Sequence, residues 1–281
     1  MNLIGITTTF NNEKIVPYVM KYATELGYDK LIIYDNESTD RTVELLKQYP
    51  FVEIRTYHSD VYDEDKRIQL IQDTLVGLPL TNEPTWMTIG DFDEVFYYAQ
   101  QDKDKFKDYL IKLSDHGYNV CTEHMVNLIS QNSCHDTNDF LHTQVEKCAY
   151  CNPFDWCKPI LFRFDNLKSI FHTIGHHYGH LEFYREGTKQ FYNTKHLHVF
   201  HLKYAFGKEH LLKTIEGYNE RNFRYDGETR DYYYNINDAE HDFDSTYRNG
   251  INVNAYLEHK MLNGDDSYEH SDYLVLMPAT Q

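Results

Sequence analysis

The run Gly90-Asp91-Phe92-Asp93-Glu94 follows directly on the apolar stretch Trp86-Met87-Thr88-Ile89. Two carboxylates two positions apart can approach one hard divalent cation where the chain turns, and Mg²⁺ or Mn²⁺ held by few carboxylates and completed by phosphate oxygens is the usual arrangement at a nucleoside diphosphate. Acidic pairs more often just face solvent; position at the end of a buried strand, with Trp86 behind it, is what favours a ligand here. Two further polar groups close apolar runs in the same way, Thr8 to Asn12 and Asp35-Asn36. In an open parallel sheet the crevice at the carboxyl ends of the strands is where ligands bind.

Histidine is the second chemistry-bearing type, with 16 in the chain. His172, His176, His177 and His180 lie close together, and His196, His198 and His201 follow. On a strand His196 and His198 share one face and His201 takes the other. Neutral imidazole suits Mn²⁺, which makes His201 a candidate metal ligand, with His198 next. Most of the remaining histidines read as ordinary hydrogen-bonding side chains. Cys148, Cys151 and Cys157, with His142 nearby, have a spacing a zinc site could use, but the single C-x2-C lacks a partner pair and ordinary reduced thiols are the preferred reading.

The elements that must position these residues alternate. Leu3–Phe10, Leu31–Tyr34, Phe51–Tyr57 and Trp86–Ile89 are short, apolar and β-branched, as buried strands are. Between them Val16, Val19, Met20, Ala23 and Leu26 recur at helical spacing and Gly27 ends the run. Val43, Leu45 and Leu46 mark a second helix behind the N-cap oxygens of Ser38, Thr39 and Asp40, and Ile68, Leu70, Ile71 and Leu75 a third. Strands joined by helical crossovers predict an α/β fold with a Rossmann-like, mostly parallel central sheet flanked by helices. Beyond Asp102 a helix is expected through Phe106, Tyr109, Leu110 and Leu113, with strands near 119–122 and 159–164 and another helix over 207–223. The last sixty or so residues, rich in Tyr, Asp and Asn, are expected to form a helical or irregular extension.

Composition bounds the partners. The chain has 281 residues, 27 Lys and Arg against 44 Asp and Glu, and a net charge of −17. Such a chain gains nothing from counterion release on a phosphate backbone, which excludes a general nucleic-acid binder. An aromatic content of 15% argues for a packed core and against disorder. No run approaches the roughly 18 apolar residues of a membrane span, and the N-terminus lacks a basic n-region and a small-residue cleavage site. The expectation is a cytoplasmic protein, with peripheral membrane association and homo-oligomerisation left open.

Three motifs together resemble family 2-type glycosyltransferases. Asp35-Asn36-Glu37-Ser38-Thr39-Asp40-Arg41-Thr42 resembles their D-N-x-S-x-D-x-T segment, Thr8-Thr9-Phe10-Asn11-Asn12-Glu13 their first-strand loop, and Trp86…Gly90-Asp91-Phe92-Asp93-Glu94-Val95-Phe96 their W…D-x-D-E-F signature. The motifs fall in the family's order and cover about the first hundred residues. The resemblance implies a GT-A fold, a nucleotide-diphospho-sugar donor (a UDP-sugar first), Mn²⁺ or Mg²⁺, inversion at the anomeric carbon, and a glycan or lipid-linked glycan as acceptor, in polysaccharide assembly. It implies that Thr8 and Phe10 line the base pocket, that Asp35 accepts a hydrogen bond from the pyrimidine, and that Arg67 reaches the nucleotide. Asp91 would then sit near ribose and metal, and Asp93 would bind the metal directly. For Asp40, N-capping is the simpler role; for Arg67, a solvated helix face is the equal alternative. His201-Leu202-Lys203-Tyr204 resembles, imperfectly, a late H-x-x-K segment of the family, and Lys158 and Arg163 are weaker candidates for phosphate contact.

A transferase of this kind needs a carboxylate to deprotonate the acceptor hydroxyl. Asp155, Glu182 and Glu94 are the candidates. The expected division is residues 1–205 as the catalytic domain, with 1–100 binding the nucleotide sugar and 101–205 the acceptor, and 206–281 as the C-terminal extension. A metal-dependent hydrolase and a catalytically silent nucleotide-sugar binding module are the alternative functions.

Overall fold

The computed structural model describes residues 1–78, 83–132, 140–150, 157–164, 190–192, 195–219, 221–225, 227–230 and 236–263. In chain order the elements are β1 (Asn2–Thr9), α1 (Val16–Leu26), β2 (Lys30–Asp35), α2 (Thr42–Leu46), β3 (Val52–Thr56), β4 (Tyr62–Asp63), α3 (Glu64–Gly77), β5 (Thr85–Ile89) and β6 (Glu94–Tyr98). There follow α4 (Lys103–Asp115), β7 (Val120–Ile129), α5 (Phe140–Thr143), β8 (Lys147–Tyr150), β9 (Cys157–Arg163), β10 (Gln190–Tyr192) and β11 (Leu197–Tyr204). The described chain closes with α6 (Lys208–Asn219), β12 (Phe223–Tyr225), β13 (Glu228–Arg230), α7 (Ile236–Asn249), β14 (Ile251–Asn252) and α8 (Val253–Asn263).

The fold is α/β, with a mostly parallel central sheet flanked by helices. Its parallel heart is β3-β2-β1-β5. These strands read as continuous apolar runs because both their faces are covered. Leu3 and Trp86 point to the side of α1 and α4, whereas Ile6, Ile32, Met87 and Ile89 point to the side of α3, where Ile71 and Leu75 meet them. Beyond β5 the direction reverses: β9 runs antiparallel to β5 and β7, and β8 antiparallel to β7. The β11 strand lies parallel to β7 and antiparallel to β6, so one hydrogen-bonded strand carries its histidines past the Asp93-Glu94 turn.

Local chemistry sets the helix ends. Gly27 stops α1 in the left-handed conformation, φ 73°, where a side chain would be strained. The Asp63 side chain accepts the Lys66 amide at the start of α3, and Glu64 and Asp65 stand in the first turn where the helix dipole favours negative charge. The expected helices over 16–26, 68–75 and 106–113 lie inside α1, α3 and α4.

The C-terminal region carries α6, α7 and α8, and it also adds strand to the sheet. β14 pairs with β8, Ile251 opposite Cys148, and Val253, Tyr256 and Leu257 of α8 sit in the main core. β12 pairs in parallel with β4, which ties residues 223–225 to the loop that follows β3. Among the described residues no helix is long and apolar enough to cross a membrane.

Candidate functional site

The loops after β1 and β2 form one interlaced surface at the carboxyl ends of the parallel strands. The Asn11 amide donates to Ser38 Oγ at 2.9 Å, and the Thr39 amide donates back to Asn11 Oδ1 at 2.8 Å. Next to them Asn12 N donates to Thr42 Oγ1 at 2.7 Å, Glu13 N to Asp40 Oδ2 at 3.0 Å, and Arg41 N to Glu13 Oε2 at 3.0 Å. The two polar motifs therefore fold as one unit, each supplying acceptors for the other's backbone. Asp40 does not cap α2 as expected: the N-cap is Arg41, without a side-chain cap bond, and Asp40, one residue earlier, accepts the Thr42 amide on Oδ1 at 2.9 Å. Asn11 and Glu37 both have positive φ, 51° and 54°. Asn tolerates that region, whereas Glu pays on the order of 1 kcal/mol for it.

Asp35 closes β2 and is buried. It accepts from Ser38 Oγ at 2.5 Å and Ser38 N at 3.0 Å. A carboxylate has about four acceptor positions, so these two bonds orient it and leave capacity for another donor. Asn36 holds the segment after β3, receiving the Ser59 amide at 2.8 Å and donating to Ser59 O at 3.0 Å. Thr8 is half-buried next to this loop, and the half-buried Phe10 lies beneath the Arg221 guanidinium, 4.1 Å from its ring centroid.

Arg67 lies in α3 and is not on a solvated helix face: its side chain is 3% exposed. Its Nη1 donates to Asp91 Oδ1 at 2.5 Å, to Tyr62 Oη at 3.3 Å and to Glu64 Oε1 at 3.4 Å. Burial by itself lowers an arginine's pKa, yet Asp91 and Glu64 hold this one well above its ordinary value. Burial pushes the Glu64 carboxyl up, against the pull of Arg67. Tyr57 sits among Arg67, Arg221, Asp63 and Glu64, and burial raises its phenol to about 12.

The Asp91–Glu94 turn is braced from three sides. Thr7 Oγ1 donates to Gly90 O at 2.9 Å, Glu94 N to Asp91 O at 3.1 Å, and Leu202 N to Asp93 O at 2.8 Å. Glu94 is buried, pairs across from His201 in the β6–β11 ladder, and receives the Asp91 amide on Oε2 at 3.3 Å. His201 Nε2 stands 3.2 Å from Asp93 Oδ2, and its Nδ1 is 2.9 Å from Asn127 Oδ1. With Oδ1 as acceptor, Nδ1 carries the ring proton. Nε2 then meets a carboxylate oxygen, and either a second ring proton or a shared cation reconciles the two. One carboxylate and one imidazole are a donor pair less suited to Mg²⁺, which takes oxygen ligands, than to Mn²⁺, while the Asp91 carboxylate is held by Arg67. Among the described residues no three His, Cys, Asp or Glu side chains are grouped as a metal cluster.

Several sequence-level candidates fall elsewhere. His198 faces away from His201, buried among Tyr97, Phe200 and Tyr256, and burial lowers its pKa to about 3. Arg163 pairs with Trp86, at the opposite end of β5 from Asp91. His142 contacts Asn254 Oδ1 at 2.7 Å, and Cys148 is a buried free thiol. Asp155, Glu182, Cys151 and the histidines at 172, 176, 177 and 180 lie outside the described residues, as does the side chain of Lys158. Sequence reasoning missed Asn127, Glu64 and Arg221. None belongs to a motif, and each enters the site only through a long-range pairing or a buried ion pair.

No protein-family model matches the chain, and no curated protein matches it. Among solved structures, the crystal structure of S. aureus TarS superposes on 96% of this chain and 44% of its own, with a TM-score of 0.41 and 12% identity. The crystal structure of S. aureus TarS 1-349 gives 62% and 50%, 0.40 and 13%. UTP-bound UGPase from Acinetobacter baumannii gives 48% and 63%, 0.27 and 12%. The chain spans about half the length of the two TarS structures it resembles.

Proposed function

We propose that this chain is a glycosyltransferase that takes a sugar from a nucleotide-diphosphate donor, a UDP-sugar first, and passes it to a hydroxyl of a glycan or lipid-linked glycan. The observation that supports the reading is that Asp35 ends β2 and Asp91 follows β5 at the carboxyl ends of the parallel strands, where ligands of such sheets bind, with Arg67 in contact with Asp91 and His201 in contact with Asp93.

Each residue has a role its surroundings suit. Asp35, oriented by Ser38, accepts a hydrogen bond from the pyrimidine, beside Thr8 and Phe10. Arg67 fixes the rotamer of Asp91 so that its carboxylate stays toward the ribose side. Asp93 and His201 hold Mn²⁺ in preference to Mg²⁺, with Asp91 adjacent. When bound, the cation supplies positive charge against the departing diphosphate. A carboxylate takes the proton of the attacking hydroxyl; Asp155, Glu182 and Glu94 are the candidates, and Glu94 is the one engaged inside the turn.

A panel of UDP-, GDP-, ADP- and CDP-sugars, assayed with Mn²⁺ for donor hydrolysis and for transfer to saccharide acceptors, tests this reading. Turnover of one donor class is expected. Donor binding without turnover on any acceptor would leave a silent nucleotide-sugar binding module in its place.

A further inference from the structure

The base end of the proposed donor site draws on two loops, with Phe10 just past β1 and Asp35 at the end of β2. One side chain from a remote part of the chain reaches the supports of both. The parallel pairing of β12 with β4, Phe223 opposite Tyr62, and the Tyr62 amide donating to Asn222 O at 2.8 Å set residue 221 beside the Ser59–Val61 segment. There Arg221 Nη2 donates to Ser59 O at 2.8 Å and to Val61 O at 3.2 Å, and the guanidinium carbon lies 4.1 Å from the Phe10 ring centroid.

Ser59 is where the two arms meet. Its carbonyl accepts Asn36 Nδ2 at 3.0 Å as well as Arg221 Nη2, and its amide donates to Asn36 Oδ1 at 2.8 Å. Asn36 is buried and directly follows Asp35. One guanidinium thus bridges the Phe10 ring to the backbone that flanks Asp35. Phe10 is only half-buried, and a cation stacked on its ring removes freedom that an incoming base would otherwise have to remove on binding. The segment that carries Arg221 is fastened in its turn to the start of α3, the helix of Arg67. Arg224 Nη1 donates to Asp63 Oδ2 at 3.3 Å, and the Gly227 amide donates to Asp65 Oδ2 at 2.9 Å.

We propose that Arg221 is a positioning residue for the nucleobase, presetting the pocket by stacking on Phe10 and holding the Ser59–Val61 segment, an assignment that rests on the donor reading above. Its effect falls on the base and not on the diphosphate. The C-terminal region thereby takes part in donor recognition from outside the early motifs.

Calorimetric titration of the full chain with UDP, and with uridine by competition against UDP, both with Mn²⁺, tests the assignment. Arg221→Ala is expected to weaken the two ligands by the same factor, about fivefold, the scale of a lost cation–π contact. Arg221→Lys, which keeps a cation over the ring, should recover part of the loss. Arg221→Gln keeps an amide donor for the Ser59 and Val61 carbonyls without the charge; it serves if the alanine variant does not fold, and it should also weaken both ligands. Because the residue acts through Phe10, Arg221→Ala should cost less in a Phe10→Ala background than in the parent. UDP binding within twofold of the parent in both neutral variants, weakening of UDP with uridine unchanged, or a fully additive loss in the double variant overturns the positioning role and leaves the donor reading standing. If the parent takes GDP, ADP or CDP in place of UDP, that diphosphate and its nucleoside are compared in the same way. A parent protein that binds none of the four overturns both.

Discussion

Arg67 Nη1 donates to Asp91 Oδ1 at 2.5 Å, which locks the first turn of α3 to the loop that follows β5. The arginine is buried, Glu64 beside it is buried, and Asp91 is 29% exposed, so one end of the contact is sealed and the other opens to the site. Removing the cation leaves Glu64 buried without its counter-charge. Arg67→Ala should therefore destabilise the protein by about 3–5 kcal/mol, the range for breaking a buried pair from one side. Arg67→Lys should cost less, because it restores the charge but not the fork. Urea unfolding at neutral pH measures this, and a midpoint for Arg67→Ala equal to the parent's would show that the contact holds nothing.

The Asp93–His201 contact makes a prediction about metal. A ligand that binds only the native state raises the thermal midpoint, so UDP with Mn²⁺ should raise it more than UDP alone. Asp93→Ala should abolish the metal-dependent part, and His201→Ala should reduce it. Asn127→Ala, which frees the ring without removing a ligand, should have the smallest effect of the three. An undiminished metal shift in Asp93→Ala would refute its role as ligand.

Two buried groups with no role in the proposed ligand set predict how stability depends on pH. Glu123 is fully buried in β7, with one oxygen bonded to the His124 amide at 2.8 Å and Oε2 without a partner among the described residues. Burial raises its pKa from 4.5 to about 8, so its contribution is complete below pH 4.5 and is lost as pH rises through 8. His198 is the opposite case. Burial lowers its pKa from 6.5 to about 3, so its contribution is complete above pH 6.5 and is lost as pH falls through 3. Each group acts within its window at up to about 1.4 kcal/mol per pH unit. Relative to the parent, Glu123→Gln should gain stability as pH rises from 5 to 8, and His198→Phe should gain as pH falls from 6 to 4. Unfolding free energies measured across those ranges check both; parallel profiles for parent and variant would contradict the burial argument.

The alternation of strand and helix was legible because each early element carries its own period. Leu31–Tyr34 is apolar at every position, and Val16 to Leu26 recur at helical spacing, so neither needs a distant partner to be recognised. That alternation also placed Asp35 and Asp91 at strand carboxyl ends. The reversal of direction beyond β5 was not legible, since no residue type in β9 or β7 records which way a strand runs and only their hydrogen bonds set it.

Within the site the division is the same. Sequence alone determined that the polar groups from Thr8 to Asn12 and at Asp35-Asn36 close apolar runs, that Asp91 and Asp93 lie two positions apart after a third, and that His198 and His201 face opposite ways if one strand carries both. Only the tertiary structure decided which of those histidines points inward, because that depends on the pairing of β11 with β6 and β7. It likewise decided that Arg67 is buried against Asp91 and that Arg221 lies over Phe10. Local periodicity records which face of an element is apolar. It carries no record of which distant element covers that face, and ion pairs and stacked guanidinium groups form only once that choice is made.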